Sequence, residues 1–209
     1  AFTFYLGQFF ERGQADLTPF FNFHPWLYLF LVPAVSMRLW SEERKSGSIE
    51  LLLTLPIQLW ETVLAKFLAG WVFTGCALLG TVPLWLTVSY LGEPDHGVIL
   101  SSYLGSWMMA GAFLAIGGCM SALTKSQIIA FIVTGSVCLL FVLAGFPLVL
   151  NFFNGWVAQW ILDTVAGLSV LNHFVAITRG VVSLEDALYF ASVMALWLYL
   201  TVLALEAKR

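Results

Sequence analysis

The side chains able to do chemistry are few in this 209-residue chain, and they are unevenly placed. Of its 21 charged residues, seven lie between Arg38 and Glu61. The order from Arg38 is Arg38-Leu-Trp-Ser-Glu-Glu-Arg-Lys-Ser-Gly-Ser-Ile-Glu-Leu-Leu-Leu-Thr-Leu-Pro56. Mixed-sign charge interleaved with apolar residues suits docking against another protein's surface better than it suits bond breaking. Ser41 before Glu42 and Glu43 reads as a helix start, and Pro56 stops a helix near Thr54. Ile49, Leu52, Leu53 and Leu55 would then face the apolar side, with Glu42, Glu43, Arg44, Lys45 and Glu50 toward water. A second helix from about Gln58, through Trp60 and Glu61, would run on into the next apolar block.

Other reactive types carry less. His24, His96 and His173 have no His-x3-His or carboxylate spacing, so independent interfacial histidines explain them better than a metal site. Cys76, Cys119 and Cys138 sit in apolar blocks without a Cys-x-x-Cys pair, as small hydrophobes do. There is no Gly-x-x-x-x-Gly-Lys-Ser/Thr phosphate loop, no His-Glu-x-x-His and no Gly-x-Ser-x-Gly. The middles of the apolar blocks hold no ionisable pair of the kind that relays protons or ions. No catalytic or metal site is therefore expected, and any nucleotide chemistry must belong to another chain.

The elements that must position the charged segment are membrane helices. Sixty per cent of residues are hydrophobic and the mean hydropathy is +0.91, against 45–50% apolar content for a soluble domain. The apolar blocks reach roughly 20 residues, the length a helix needs to cross hydrocarbon. We read an all-α polytopic membrane protein forming one transmembrane domain over 1–209. Its complete spans are 25–40, 63–91, 98–123, 127–150 and 184–205, with 1–10 the end of an upstream first span. Residues 41–62 link the first two complete spans, and 151–183 read as short re-entrant or interfacial helices. Ser183 with Glu185 and Asp186 reads as the capped start of the last span.

This topology places Arg38, Arg44, Lys45, Lys66, Lys125, Lys208 and Arg209 on one side, and only Arg12 and Arg179 on the other. The cation bias makes the 41–62 side and the C-terminus cytoplasmic, in a cell inner (plasma) membrane. Lys66 should snorkel to the headgroups, and the nine tryptophans should sit mostly at span ends. Ser102, Ser106 and Ala110 form one stripe of small residues and Gly117 with Ser121 another, suited to close helix packing or to a pathway. Gly70, Gly75 and Gly80 share no face.

Residues 37–56, with Gly13-Gln-Ala-Asp-Leu-Thr-Pro-Phe-Phe-Asn22 and Leu123-Thr-Lys-Ser-Gln-Ile-Ile-Ala-Phe131, resemble ABC-2 type transporter permeases of the gliding-motility group. The Glu-Glu-Arg-x-x-Gly-x-x-Glu core from Glu42 to Glu50 is the sharpest part. The resemblance implies a type V ABC exporter-like bundle with a re-entrant pair of helices before its last span. It implies a permease subunit without catalysis of its own, paired with a second, identical or related permease. A separate ABC ATPase subunit would carry the ATP and Mg. Ser41, Glu42, Glu43, Arg44, Lys45, Gly47 and Glu50 would form the ATPase-coupling segment. The rival reading is a non-transporting membrane anchor that recruits a cytosolic partner through the same residues.

Overall fold

The computed structural model describes residues 16–50, 57–146, 149 and 159–207, all helix, turn or short link. Ten helices are described: α1 Thr18–Asn22, α2 His24–Ser36, α3 Arg38–Ser46, α4 Leu59–Leu79, α5 Val82–Leu91, α6 His96–Leu123, α7 Gln127–Leu143, α8 Gln159–Gly167, α9 Val170–Ile177 and α10 Leu184–Glu206. Three helical stretches are long and apolar enough to cross a membrane: 59–91, His96–Leu123 and Leu184–Glu206. α7 is a shorter apolar helix. The expected span end at 1–10 lies outside the described residues, as do Leu52, Leu53, Leu55 and 151–158.

Local chemistry sets the helix ends. Asp95 caps α6 by accepting from the N–H groups of Gly97 and Val98, and Ser183 caps α10 by accepting from Asp186 N–H. Gln58 and Glu61 form a reciprocal capping box on α4. Gly47, at φ 76°, ends α3 in the left-handed conformation that glycine adopts without a Cβ clash.

α6 is the central post, buried along most of its length. α2, α4, α7, α9 and α10 all pack on it. Its 28 residues extend about 42 Å at 1.5 Å per residue. One end of the bundle joins Trp40 of α3, Val63 of α4, Ala122 of α6 and Leu205 of α10 in a small apolar cluster. At the other end α9 meets the start of α6, where a Cβ on Gly105 would come within 2.8 Å of Ile177.

Several expected boundaries move. Within the expected 25–40 span the α-helix is interrupted at Met37 and resumes at Arg38. Ser41 is thus inside α3, not its N-cap. Gly47 ends α3 at Ser46, well before Thr54. The 63–91 span turns at Gly80–Thr81, where Pro83 opens α5 and supplies no N–H to continue the ladder. α7 closes at Leu143, short of residue 150.

Candidate functional site

The charged segment is fixed to the bundle by an arrangement in which α6 caps a break between two other helices. Where α2 ends at Met37 and α3 begins, the first N–H groups of α3 lack intrahelical acceptors. Ser121, fully buried on α6, fills that role. Its Oγ accepts from Trp40 N–H at 3.1 Å and Ser41 N–H at 3.0 Å, and donates to Met37 O at 2.9 Å. The Ser41 hydroxyl also donates to Met37 O. Arg44, one turn on, donates to Ala122 O. Four residues before Ser121, Gly117 admits α2 so closely that a Cβ there would lie 2.0 Å from Ser36 Oγ.

α4 is tied to the same junction. Lys66 donates to Leu39 O at 2.8 Å, pairs with Glu43, and lies 4.1 Å from the centroid of the Trp40 ring. Its ammonium therefore sits among a carbonyl, a carboxylate and an aromatic face, all from α3. Further along, α4 and α6 hold each other through Trp71 and Trp107. Each indole N–H donates to the other residue's carbonyl, at 2.9 and 3.2 Å, and the rings stack at 4.2 Å. Gly75 and Gly111 make room, since a Cβ on either would come within 3.0 Å of an indole nitrogen, at 2.9 and 2.7 Å. α3 is thereby hydrogen-bonded to both α4 and α6 at the junction, and α4 and α6 are joined again at Trp71 and Trp107. On the other flank, a cavity of about 380 Å³ lined by His24, Tyr28, Leu31, Phe73 and Thr74 separates α2 from α4.

A family model described as ABC-2 family transporter protein matches residues 20–206, nearly the whole chain. The chain belongs to that family. Neither a curated protein nor a solved structure matches it. This ABC-2 protein is accordingly a membrane subunit of a transporter, and its permease domain is non-catalytic. The family works with an ATPase partner in general.

In this ABC-2 subunit the sequence-marked coupling residues divide into two sets. Glu42, Lys45, Gly47 and Glu50 are exposed, as solvent-facing docking positions would be. Ser41, Glu43 and Arg44 turn inward, which corrects the expectation that all the charges of α3 face water. Ser41 is drawn in by the Met37 carbonyl, Glu43 by Lys66, and Arg44 by the Ala122 carbonyl in the last turn of α6. Lys66 likewise does not snorkel outward, having three partners on α3.

Ser102, Ser106 and Ala110 are all buried. Ser106 holds the buried His24 ring through Nδ1 at 2.8 Å, so His24 is no interfacial histidine. Trp71 and Trp107 belong to the interior clasp, not to a belt at span ends, and Gly70 and Gly75 both face α6 through Leu114 and Trp107. Cys119 and Cys138 are buried, while Cys76 is exposed. Among the described residues no group of His, Cys, Asp and Glu could hold a metal ion. The clasp had a signal in the sequence: Trp71-x-x-x-Gly75 and Trp107-x-x-x-Gly111 are the same pattern on two helices.

Proposed function

We propose that Arg38–Glu61 is the segment through which a separate ATPase subunit drives this permease, and that it faces the cytosol. The observation that carries the reading is the Ser121 bridge. A load applied to exposed Glu42, Lys45 or Glu50 passes to α6 through Ser121 and Arg44, and to α4 through Lys66. Helices joined in this way move as a body, because packed interiors switch between arrangements and do not deform smoothly. The cavity between α2 and α4 leaves that flank free to close or widen.

Sidedness follows from charge. Of the six Lys and Arg among the described residues, Arg38, Arg44, Lys45, Lys66 and Lys125 lie at the α3 end and Arg179 at the other. Cations collect on the cytosolic face of bacterial membranes. ATP and Mg would be bound by the partner ATPase, a second permease subunit would complete the pathway, and transport would run outward. The 37–56 resemblance favours the gliding-motility group within the family.

The test is a cysteine replacing Lys45, in a Cys76→Ser background, in membranes holding the complete transporter. It is expected to cross-link to the ATPase subunit with a yield that changes when nucleotide is added. Absence of the cross-link, or labelling of that cysteine by an impermeant maleimide applied to intact cells, overturns the proposal.

A further inference from the structure

The end of the bundle away from α3 is held by a network that the coupling mechanism does not use. α8 stops at Gly167, and the last carbonyls of a helix have no intrahelical donors. Three side chains supply them. Asn172 Nδ2 donates to Ala166 O at 2.9 Å, His173 Nε2 lies 3.0 Å from Gly167 O, and Tyr189 OH donates to Leu168 O at 2.5 Å. Asn172 and His173 belong to α9 and Tyr189 to α10, so the three bonds tie α8, α9 and α10 together. The following residue, Ser169, is buried against the turn after α7, where a Cβ on Gly145 would lie 2.0 Å from its hydroxyl.

Two of the three donors, an amide and a phenol, keep their protons across the neutral range. The imidazole differs. Its Nδ1 lies 2.6 Å from Asp186 Oδ1, its Nε2 faces the Gly167 carbonyl, and the ring stacks on Tyr189 at 3.9 Å. Both ring nitrogens face acceptors, so the two contacts together need two protons. Asp186 is buried and already accepts from Ser183 Oγ through Oδ2 at 2.6 Å. Both contacts are satisfied only while the pair holds two protons. Once one is lost, a lone pair faces an oxygen at either Nδ1 or Nε2, and one contact turns repulsive. Of the charged residues on the joined segments, Glu185 on α10 and Arg179 after α9 are exposed and form no ion pair among the described residues, and α8 carries Asp163 four residues before Gly167.

We propose that the His173–Asp186 pair, with the Gly167 carbonyl, is a proton-sensitive latch that fastens α8 and α9 to the start of α10 and loosens as pH rises. The sign follows from the protons held. The fastened form keeps the proton that the loosened form releases, so fastening is favoured at the acid end and weakens as that proton is given up. The latch is independent of which subunit drives the bundle, and its pH response can be followed without an ATPase.

The experiment uses the full chain in nanodiscs with ¹⁵N-labelled histidine, His173 being assigned by His173→Gln. At pH 5.5 both ring nitrogens of His173 are expected to carry protons. On titration, hydrogen-exchange protection of residues 168–187, corrected for the intrinsic pH dependence of exchange, should fall by about tenfold, the loss of a charge-assisted hydrogen bond. In His173→Gln, and in Asp186→Asn as a second variant, protection should no longer change with pH. A His173 ring neutral at pH 5.5, protection unchanged through the titration, or a pH response that persists in both variants overturns the latch.

Discussion

The two ends of the bundle are fastened in opposite ways. At the α3 end a serine hydroxyl accepts from backbone amides of a neighbouring helix while an arginine and a lysine donate to backbone carbonyls, and none of these bonds passes through an imidazole. At the α8–α10 end short helices are closed by side chains over exposed carbonyls, and one of the three is a histidine paired with an acid. The first arrangement resists load at any physiological pH. The second holds until one proton leaves. The proposed input of mechanical work at the α3 end calls for stiffness there and for something releasable at the other end, and the distribution of hydrogen-bond types meets both needs.

The comparison breaks most severely if the stiff end is prised open. Gly117→Ala adds a Cβ 2.0 Å from Ser36 Oγ and 2.5 Å from Ser36 Cβ. Overpacking costs typically about 1–3 kcal/mol, and this contact belongs at the upper limit, because a side chain attached that close to the backbone has little room to retreat. We expect a marked drop in the thermal midpoint of the purified protein in micelles. The same substitution in a Ser36→Gly background should cost less, the two sites being directly coupled. Equal costs in the two backgrounds would mean that α2 and α6 do not approach as described.

A smaller effect separates capping from packing. Ser121→Ala keeps the helix and removes the acceptor for two N–H groups at a buried junction, where an unsatisfied donor costs about 1–3 kcal/mol. Ser121→Thr retains the oxygen and should lie nearer the wild type. In the working transporter Ser121→Ala should lower the nucleotide-dependent change in Lys45-position cross-linking, because α3 then moves without α6. Exchange protection at 168–187, at the far end, should stay as it was. Loss of protection at both ends would contradict the division between them.

Much of this was legible in the sequence and some was not, for reasons visible at single residues. The charge cluster from Arg38 to Glu61 stood out because so little else in the chain is charged, and Gly117 with Ser121 was recognisable as a stripe of small residues. What Ser121 does was hidden, because its partners Trp40 and Ser41 lie about 80 positions away and a serine in an apolar helix looks like any small side chain. Ser41 misled for a related reason. Serine followed by two acids has the pattern of an N-cap, but here the polypeptide re-enters the helix at Arg38 and α6 supplies the cap from outside. His24 could not be assigned from local pattern either, since its place depends on Ser106 in a different helix. Patterns within one helix were readable; oxygens and nitrogens lent from one helix to another were not.

The finest test contrasts two acids on the proposed coupling segment that the sequence treats alike. Glu50 is exposed, and Glu50→Lys should leave stability within about 0.5 kcal/mol, as surface substitutions generally do. Glu43 is paired with Lys66, the two side chains being only 31% and 22% exposed. Glu43→Lys replaces that attraction with a like-charge contact beside the Trp40 ring. Partly screened pairs of this kind are worth about 1 kcal/mol, so the stability difference between the two variants should be of that size. Replacing Lys66 by Met first should shrink the cost of Glu43→Lys and leave that of Glu50→Lys unchanged, measured as denaturant midpoints in one detergent. If the Glu43→Lys cost survives in the Lys66→Met background, the ammonium is not what holds α3 against α4. The stiffness of this end would then rest on Ser121 and on Arg44 at Ala122 O, with the Trp71–Trp107 clasp further along.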